Sequence, residues 1–309
     1  MDRPPVCVVD APEQPPSLAD GVELTLEHGE RIGPLLQARI AGLAQRAPAD
    51  LTFANLWLFR QAHRWRFHDE PWPWISGISY DGQRHALPLF DVRRAPPHVL
   101  RDLLARHDCL FPLSDPEAAA VGQQCFALAS NRDDADYLYA ADQFRHYRGR
   151  ALQKKRNLMA QLQAGHALSV QPYTPALYDD ARRVLEVWMQ DKHNQPGEAD
   201  DAPCREALAL APRLGLEGFL YRADKEGAGF LLAEELQPGV WVVRFAKGLV
   251  RFKGIAQFMF HHFASRQDRQ VEWLNFEQDL GLPNFRHTKQ SYRPAALLPK
   301  WRLLRPSTP

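Results

Sequence analysis

The chain has 309 residues, 45% of them hydrophobic and 24% charged, a composition that excludes a wholly disordered protein and leaves room for two domains. Lys and Arg number 38 against 37 Asp and Glu, so no bulk positive charge advertises nucleic acid, and a polyanion site has to be a local patch. Cys7, Cys109, Cys125 and Cys204 form no Cys-x-x-Cys pair, which argues against a zinc ribbon or disulfide scaffold and fits a reducing cytoplasm.

Residues 1–20 are rich in proline and lack the basic start and apolar run of a signal peptide, so they read as a disordered leader. No apolar run is long enough to span a membrane, and the expected location is cytoplasmic. Residues 21–135 read as a first mixed α/β domain. Ile32, Leu35, Leu36, Ile40 and Leu43 predict a helix over 31–45 that Pro48 ends, and Phe53, Leu56, Trp57 and Phe59 cluster within 51–65. Extended runs follow at 74–80, 84–90, 109–113 and 125–129, with Asp81-Gly82-Gln83 as a hairpin turn and a proline-led helix over 96–107.

Residues 136–166 read as a basic connecting helix, with Leu152, Leu158 and Leu162 as its apolar stripe. Residues 167–309 read as a second domain. Its strands are predicted at 168–173, 217–222, 229–236, 240–246, 271–276 and 295–304, and its helices at 176–192, 204–214 and 254–266. The resulting order β-α-α-β-β-β-α-β-(α)-β is that of the GNAT acyltransferase fold. Two tandem GNAT-like domains, each a mixed sheet flanked by helices, account for the length.

Three segments carry candidate chemistry. Residues 145–156 hold Arg145, Arg148, Arg150, Lys154, Lys155 and Arg156 with no carboxylate among them, a field able to hold a phosphate backbone; Tyr137, Tyr139 and Tyr147 alongside could stack on a base or ribose. Against this stands a merely solvated helix face. Arg251-x-x-Gly254-x-Ala256, between a strand and a helix, matches the GNAT loop that receives a cofactor pyrophosphate, or simply lets a helix pack close to a sheet. Near the C-terminus, Asn275, Glu277 and Asp279 end a strand and are followed by Arg286, Lys289, Tyr292 and Arg293. Carboxylates beside cations can take a proton or grip an ammonium group, or form a salt-bridge network that anchors the last helix. His261-His262 lacks metal-site spacing, so no metal is expected, and Trp188 reads as core.

Several strings are similar to one family. Asn55-Leu56-Trp57-Leu58-Phe59-Arg60, Tyr137-Leu138-Tyr139, Gly149-Arg150 with Lys154-Lys155-Arg156-Asn157, and Ala246-Lys247-Gly248 resemble motifs of the phosphatidylglycerol lysyltransferase C-terminal domain family. So does the closing run from Asn275 to Gly281 with Arg286, Lys289, Tyr292 and Pro294. The resemblance implies tandem GNAT-like domains and transfer of an aminoacyl group from aminoacyl-tRNA to a lipid or small-molecule acceptor, without a bound cofactor. Its best-known members carry a large membrane-spanning domain not expected here, which leaves peripheral membrane contact open.

On that resemblance, residues 145–156 with Asn157 and Lys247 would meet tRNA phosphates. Glu277 or Asp279 would assist proton removal or grip the α-ammonium, Lys289, Arg286 or a backbone N–H would stabilise the oxyanion, and Asn275 and Tyr292 would complete the site. Two alternatives stand beside it. One is an acyl-CoA-dependent N-acyltransferase with acetyl-CoA or another acyl-CoA on Arg251, Gly254 and Ala256. The other is a non-catalytic GNAT-like binding module.

Overall fold

The structure, a computed structural model, describes residues 21–44, 47–122, 126–192 and 200–305. The expected leader, together with Cys7 and Cys125, lies outside them. In chain order, the first elements are β1 (Val22–Glu23), α1 (Gly29–Ile40), α2 (Phe53–His63), β2 (Arg66–His68), β3 (Trp74–Ile78) and β4 (Arg84–Pro88). Next come α3 (Pro97–Arg106), β5 (Cys109–Leu113), α4 (Asp115–Val121), β6 (Ala127–Ser130), β7 (Asp136–Ala140) and α5 (Ala141–His146). They are followed by α6 (Gln153–Gly165), β8 (Leu168–Pro172), α7 (Tyr178–Asp191), α8 (Asp201–Leu210), β9 (Glu217–Ala223) and β10 (Glu226–Gln237). The last are β11 (Val240–Gly248), α9 (Ile255–Ala264), β12 (Trp273–Asn275), α10 (Pro283–Gln290), β13 (Ala296–Leu298) and β14 (Trp301–Leu304). Among the described residues no helix is long and apolar enough to cross a membrane.

Two compact units divide the chain: Met1–Asp50, Phe59–Asn131 and Pro299–Pro309 in one, Leu51–Leu58 and Arg132–Leu298 in the other. The first contains a seven-stranded sheet in the order β1-β2-β3-β4-β5-β14-β6. Its one parallel pair, β4 and β5, needs a crossover, and α3 supplies it. Val99, Leu100, Leu103 and Leu104 form the buried stripe of α3, and Leu100, Leu103 and Leu104 pack with Trp74, Ala86, Leu110 and Leu303. Ser114 opens α4 in a capping box with Glu117, whose buried carboxylate also accepts from Arg39 at 2.7 Å.

The second unit contains the sheet β13-β7-β12-β11-β10-β9-β8, in which only β11 and β12 run parallel, joined through α9. Its central hairpin is irregular at two places, one of which concerns the site. Leu232 faces Phe245 and Ala233 faces Val243, so the pairing skips Arg244 and leaves it on a bulge. A bulge bends the strand and re-aims the side chain it carries.

The two mixed sheets with flanking helices are the tandem GNAT-like arrangement expected from the element order. Three local expectations change. The stretch 136–166 is not one connecting helix: β7 is a strand inside the second sheet, and Tyr147 and Gly149, at φ +45° and +85°, break the chain between α5 and α6. The extended run 295–304 is two strands in different sheets, and between them Lys300 is buried in an ion pair with Asp50 at 2.5 Å. The first helix stops at Ile40, before Gly42 and well short of Pro48.

The first unit also buries three histidines. Burial pushes His85 down to about 3 and His107 down to about 4, and lowers His63 in the same direction. Between their ordinary value of 6.5 and these depressed values, the unfolded chain takes up protons that the folded unit refuses. Stability is therefore complete above the ordinary histidine range and falls as pH drops, by about 1.4 kcal/mol per pH unit for each such group. Urea unfolding followed from pH 7.5 to 4.5 should show this loss; a flat profile would contradict the buried neutral histidines.

Candidate functional site

The C-terminal motif folds into a tightly tethered turn after β12. Asn275 is buried; its Oδ1 accepts the Glu277 N–H at 2.7 Å and its Nδ2 donates to Asp136 at 3.1 Å. Glu277 adopts φ +57°, a left-handed conformation that costs a non-glycine residue about 1–2 kcal/mol and persists only where its surroundings impose it. Lys289 imposes it. Its ammonium donates to the carbonyl oxygens of Phe276 (2.6 Å), Glu277 (3.1 Å) and Gln278. Lys289, expected as an oxyanion donor, is placed with its N–H groups directed at three backbone carbonyls.

Asp279 is likewise a structural hub. It is fully buried and accepts from Arg286 Nε and Nη2 (2.9 Å each), Tyr137 OH (2.6 Å), the Gly281 N–H (2.9 Å) and Arg132 (3.3 Å). Burial alone would raise its pKa. The bonds from Arg286, Tyr137 and Gly281 outweigh that and hold the carboxyl well below the usual carboxylate range. Such a group is a poor base, and Arg286, which also binds Asp133 at 2.5 Å, is engaged on both sides. Asp279→Asn should lower the melting temperature, because it removes the charge that holds Arg286, Tyr137 and the Gly281 N–H together. Thermal unfolding checks this; a melting temperature equal to wild type would contradict the hub.

Glu277 differs. Its side chain is 25% exposed, and burial pushes its carboxyl above the ordinary range against the pull of Arg244 and Lys289. The bulged Arg244 meets this carboxylate and also donates to Glu234 (2.6 Å), Thr52 Oγ1 (2.8 Å) and Asn55 Oδ1 (3.3 Å), while Thr52 donates to Glu234 at 2.9 Å. One guanidinium thus bridges two carboxylates in a buried polar cluster. Arg244, Glu234 and Thr52 escaped the sequence reading; the available signal was charge inside otherwise apolar strands, Arg244 in VWVVRFA and Glu234-Glu235 in FLLAEEL.

Tyr292 is buried among Phe144, Phe260 and Phe276, and its hydroxyl accepts from Gln257 at 2.7 Å. Tyr137, Tyr139 and Tyr147 are fully buried, with hydroxyls on Asp279, the Lys289 carbonyl (2.8 Å) and the Gln257 carbonyl (2.9 Å). None is a stacking platform for a base. These rings hold the turn from beneath.

The basic stretch splits into two groups. Arg145 donates to the carbonyls of Ala264 (2.8 Å) and Val271, Arg156 to that of Tyr147 (2.5 Å), and Lys155 lies 3.9 Å over the Tyr292 ring. These three are internal struts. Arg148, Arg150, Lys154 and Asn157 are exposed, and Arg150, Lys154 and Asn157 line an open recess on α6 with Leu158 and Gln161. Lys247 is buried, paired with Asp200 at 2.7 Å and 4.0 Å from the Trp188 ring.

The loop before α9 is closed by packing. Gly254 has φ +102°, and a Cβ there would lie 2.2 Å from the Leu158 carbonyl oxygen of α6. The glycine lets α9 pack closely against α6. Arg251 pairs with Glu226 at 3.0 Å on the surface. Ala256 lies in the first turn of α9.

The family model described as phosphatidylglycerol lysyltransferase, C-terminal, matches residues 41–304. Among solved structures, the chain is similar to a conserved protein of unknown function from Bacteroides thetaiotaomicron VPI-5482, at 21% identity over 93% of this chain and 99% of that one, with a TM-score of 0.79. It is similar to L-PGS from Bacillus licheniformis at 12% identity over 94% and 95%, with a TM-score of 0.59. Sequence comparison with curated proteins gives no match.

Proposed function

The chain belongs to the phosphatidylglycerol lysyltransferase C-terminal family, and from that premise we propose that it moves an aminoacyl group from aminoacyl-tRNA to a lipid or small-molecule acceptor. The observation that carries this reading is Glu277: a partly exposed carboxylate with a raised pKa, on a left-handed residue fixed by Asn275 and Lys289. A carboxylate so placed takes the proton of an attacking hydroxyl or amine, or holds the α-ammonium of the aminoacyl ester. The ester carbonyl is attacked, the new ester or amide bond forms, and the terminal ribose hydroxyl of the tRNA leaves with the proton. Arg244 keeps Glu277 aimed, and Arg148, Arg150, Lys154 and Asn157 provide the exposed phosphate contacts.

The acyl-CoA reading draws no support from the Arg251–Ala256 loop, where Gly254 is packed under Leu158. The test is a filter assay with total tRNA charged with labelled amino acids and a lipid-plus-metabolite extract. Enzyme-dependent movement of label into a non-tRNA product is the expected result. Label that remains on tRNA with every amino acid would overturn the proposal.

A further inference from the structure

A carboxylate that works as a base must still take up a proton, and a guanidinium bound to it works against that. An arginine in contact with a carboxylate lowers its proton affinity by about 10–10³-fold. Arg244 is such a guanidinium, but Glu277 shares it. Arg244 Nε donates to Glu234 at 2.6 Å and Nη2 to Thr52 Oγ1 at 2.8 Å, while Nη1 reaches Glu277, with Asn55 Oδ1 at 3.3 Å. Thr52 in turn donates its hydroxyl hydrogen to Glu234 at 2.9 Å. The side chains of Arg244 and Glu234 are 1% and 9% exposed, so both charges are out of water inside the largely buried strands β11 and β10. Desolvation offsets most of the attraction within a buried ion pair, so fold stability is not a sufficient account of Glu234.

The charges that act on Glu277 come from four elements. Arg244 on β11 and Lys289 on α10 favour its ionised form, and Asp136 on β7 opposes it. Glu234 on β10 acts through Arg244, and Thr52 and Asn55 are neutral. Lys289 directs its N–H groups at the carbonyls of the turn, and Asp136 accepts from Asn275 at 3.1 Å. Arg244 is therefore the cation in contact with the working carboxylate, and Glu234 is the counter-charge in contact with Arg244.

We propose that Glu234 is a positioning residue for the transfer: by neutralising Arg244 from its Nε edge, it lets Arg244 aim Glu277 without depriving that carboxylate of its capacity to take a proton. The inference rests on the reading of Glu277 as the working carboxylate and adds the group that sets its strength as a base. The test reads Glu277 without any transfer. The full chain is labelled with glutamate isotopically enriched in the side-chain carboxyl carbon, the Glu277 signal is assigned by its absence in Glu277→Gln, and its titration is followed by NMR. Glu234→Gln removes the counter-charge and keeps an acceptor for Arg244 Nε, so the Glu277 midpoint should fall by roughly one pH unit. Glu234→Asp, which retains the charge, should stay near wild type. Glu234→Gln/Arg244→Gln removes both charges and should move the midpoint up past wild type, which keeps the test decisive where Glu234→Gln alone fails to fold. The acid limb of the single-turnover transfer rate should move in the same direction as the midpoint in each variant. A purely structural Glu234 would lower the melting temperature and leave the midpoint and the limb in place, and that result overturns the proposal. So does a double-variant midpoint at or below wild type. Midpoints that move as expected in a chain that transfers nothing support the charge sharing and overturn the transfer reading instead.

Discussion

Glu277→Gln lowers the transfer rate by about 10²–10⁴-fold, the range for removing a positioned general acid–base group, and leaves tRNA affinity near wild type. Gln keeps an oxygen for Arg244 to bind, and Arg244 retains Glu234, Thr52 and Asn55, so the cluster survives while proton transfer does not. The pH profile gives a second readout. Because burial raises the Glu277 carboxyl above 4.5, the acid limb of wild-type activity lies above the ordinary carboxylate range, with the deprotonated, active form lost as pH falls through it. Single-turnover rates across pH check both. A variant retaining more than about a tenth of wild-type rate would remove Glu277 from the chemistry.

Arg148→Ala/Arg150→Ala/Lys154→Ala weakens tRNA binding and flattens its salt dependence. Each phosphate contact contributes roughly 0.7–0.9 to the slope of log affinity against log salt, so losing three lowers it by about 2–3. Arg145→Ala separates this from a fold defect. Arg145 ties the end of α9 and Val271 to α5, so its removal lowers the melting temperature and leaves the slope unchanged. Salt titration of tRNA binding by fluorescence anisotropy measures both variants. Equal slopes in wild type and the triple variant would place the tRNA contact elsewhere.

The element order was legible in the second unit because its strands and helices carry clean periodicity and turn chemistry, and the family motifs fall on the residues that build the turn after β12. Two things were not. Which members of a motif work and which hold the frame depends on partners distant in sequence. Asp279 and Glu277 look alike as letters, but Tyr137, Arg132 and Arg286 surround the one while the other keeps a solvent-exposed edge. The six cations of residues 145–156 likewise divide only once Tyr147, Ala264 and Val271 offer their carbonyls. The second failure is Arg244, whose role depends on a bulge. A skipped residue in the pairing of β10 and β11 leaves no mark in alternation, yet it brings Arg244 to Glu234 and Glu277. In the first unit, the short strands β1 and β2 are too brief for a period to register, and the Ser114–Glu117 capping box was a readable signal for α4.

The central claim is that this fold uses an aminoacyl-tRNA donor, with Glu277 as the working carboxylate. The most direct measurement is a single-turnover donor comparison, in which excess enzyme receives labelled aminoacyl-tRNA or labelled acetyl-CoA with the same acceptor extract. Label should leave aminoacyl-tRNA for an acceptor with wild type and with Lys154→Ala at saturating tRNA, stay in place with Glu277→Gln, and never leave acetyl-CoA. Transfer from acetyl-CoA while aminoacyl-tRNA remains intact would contradict the account.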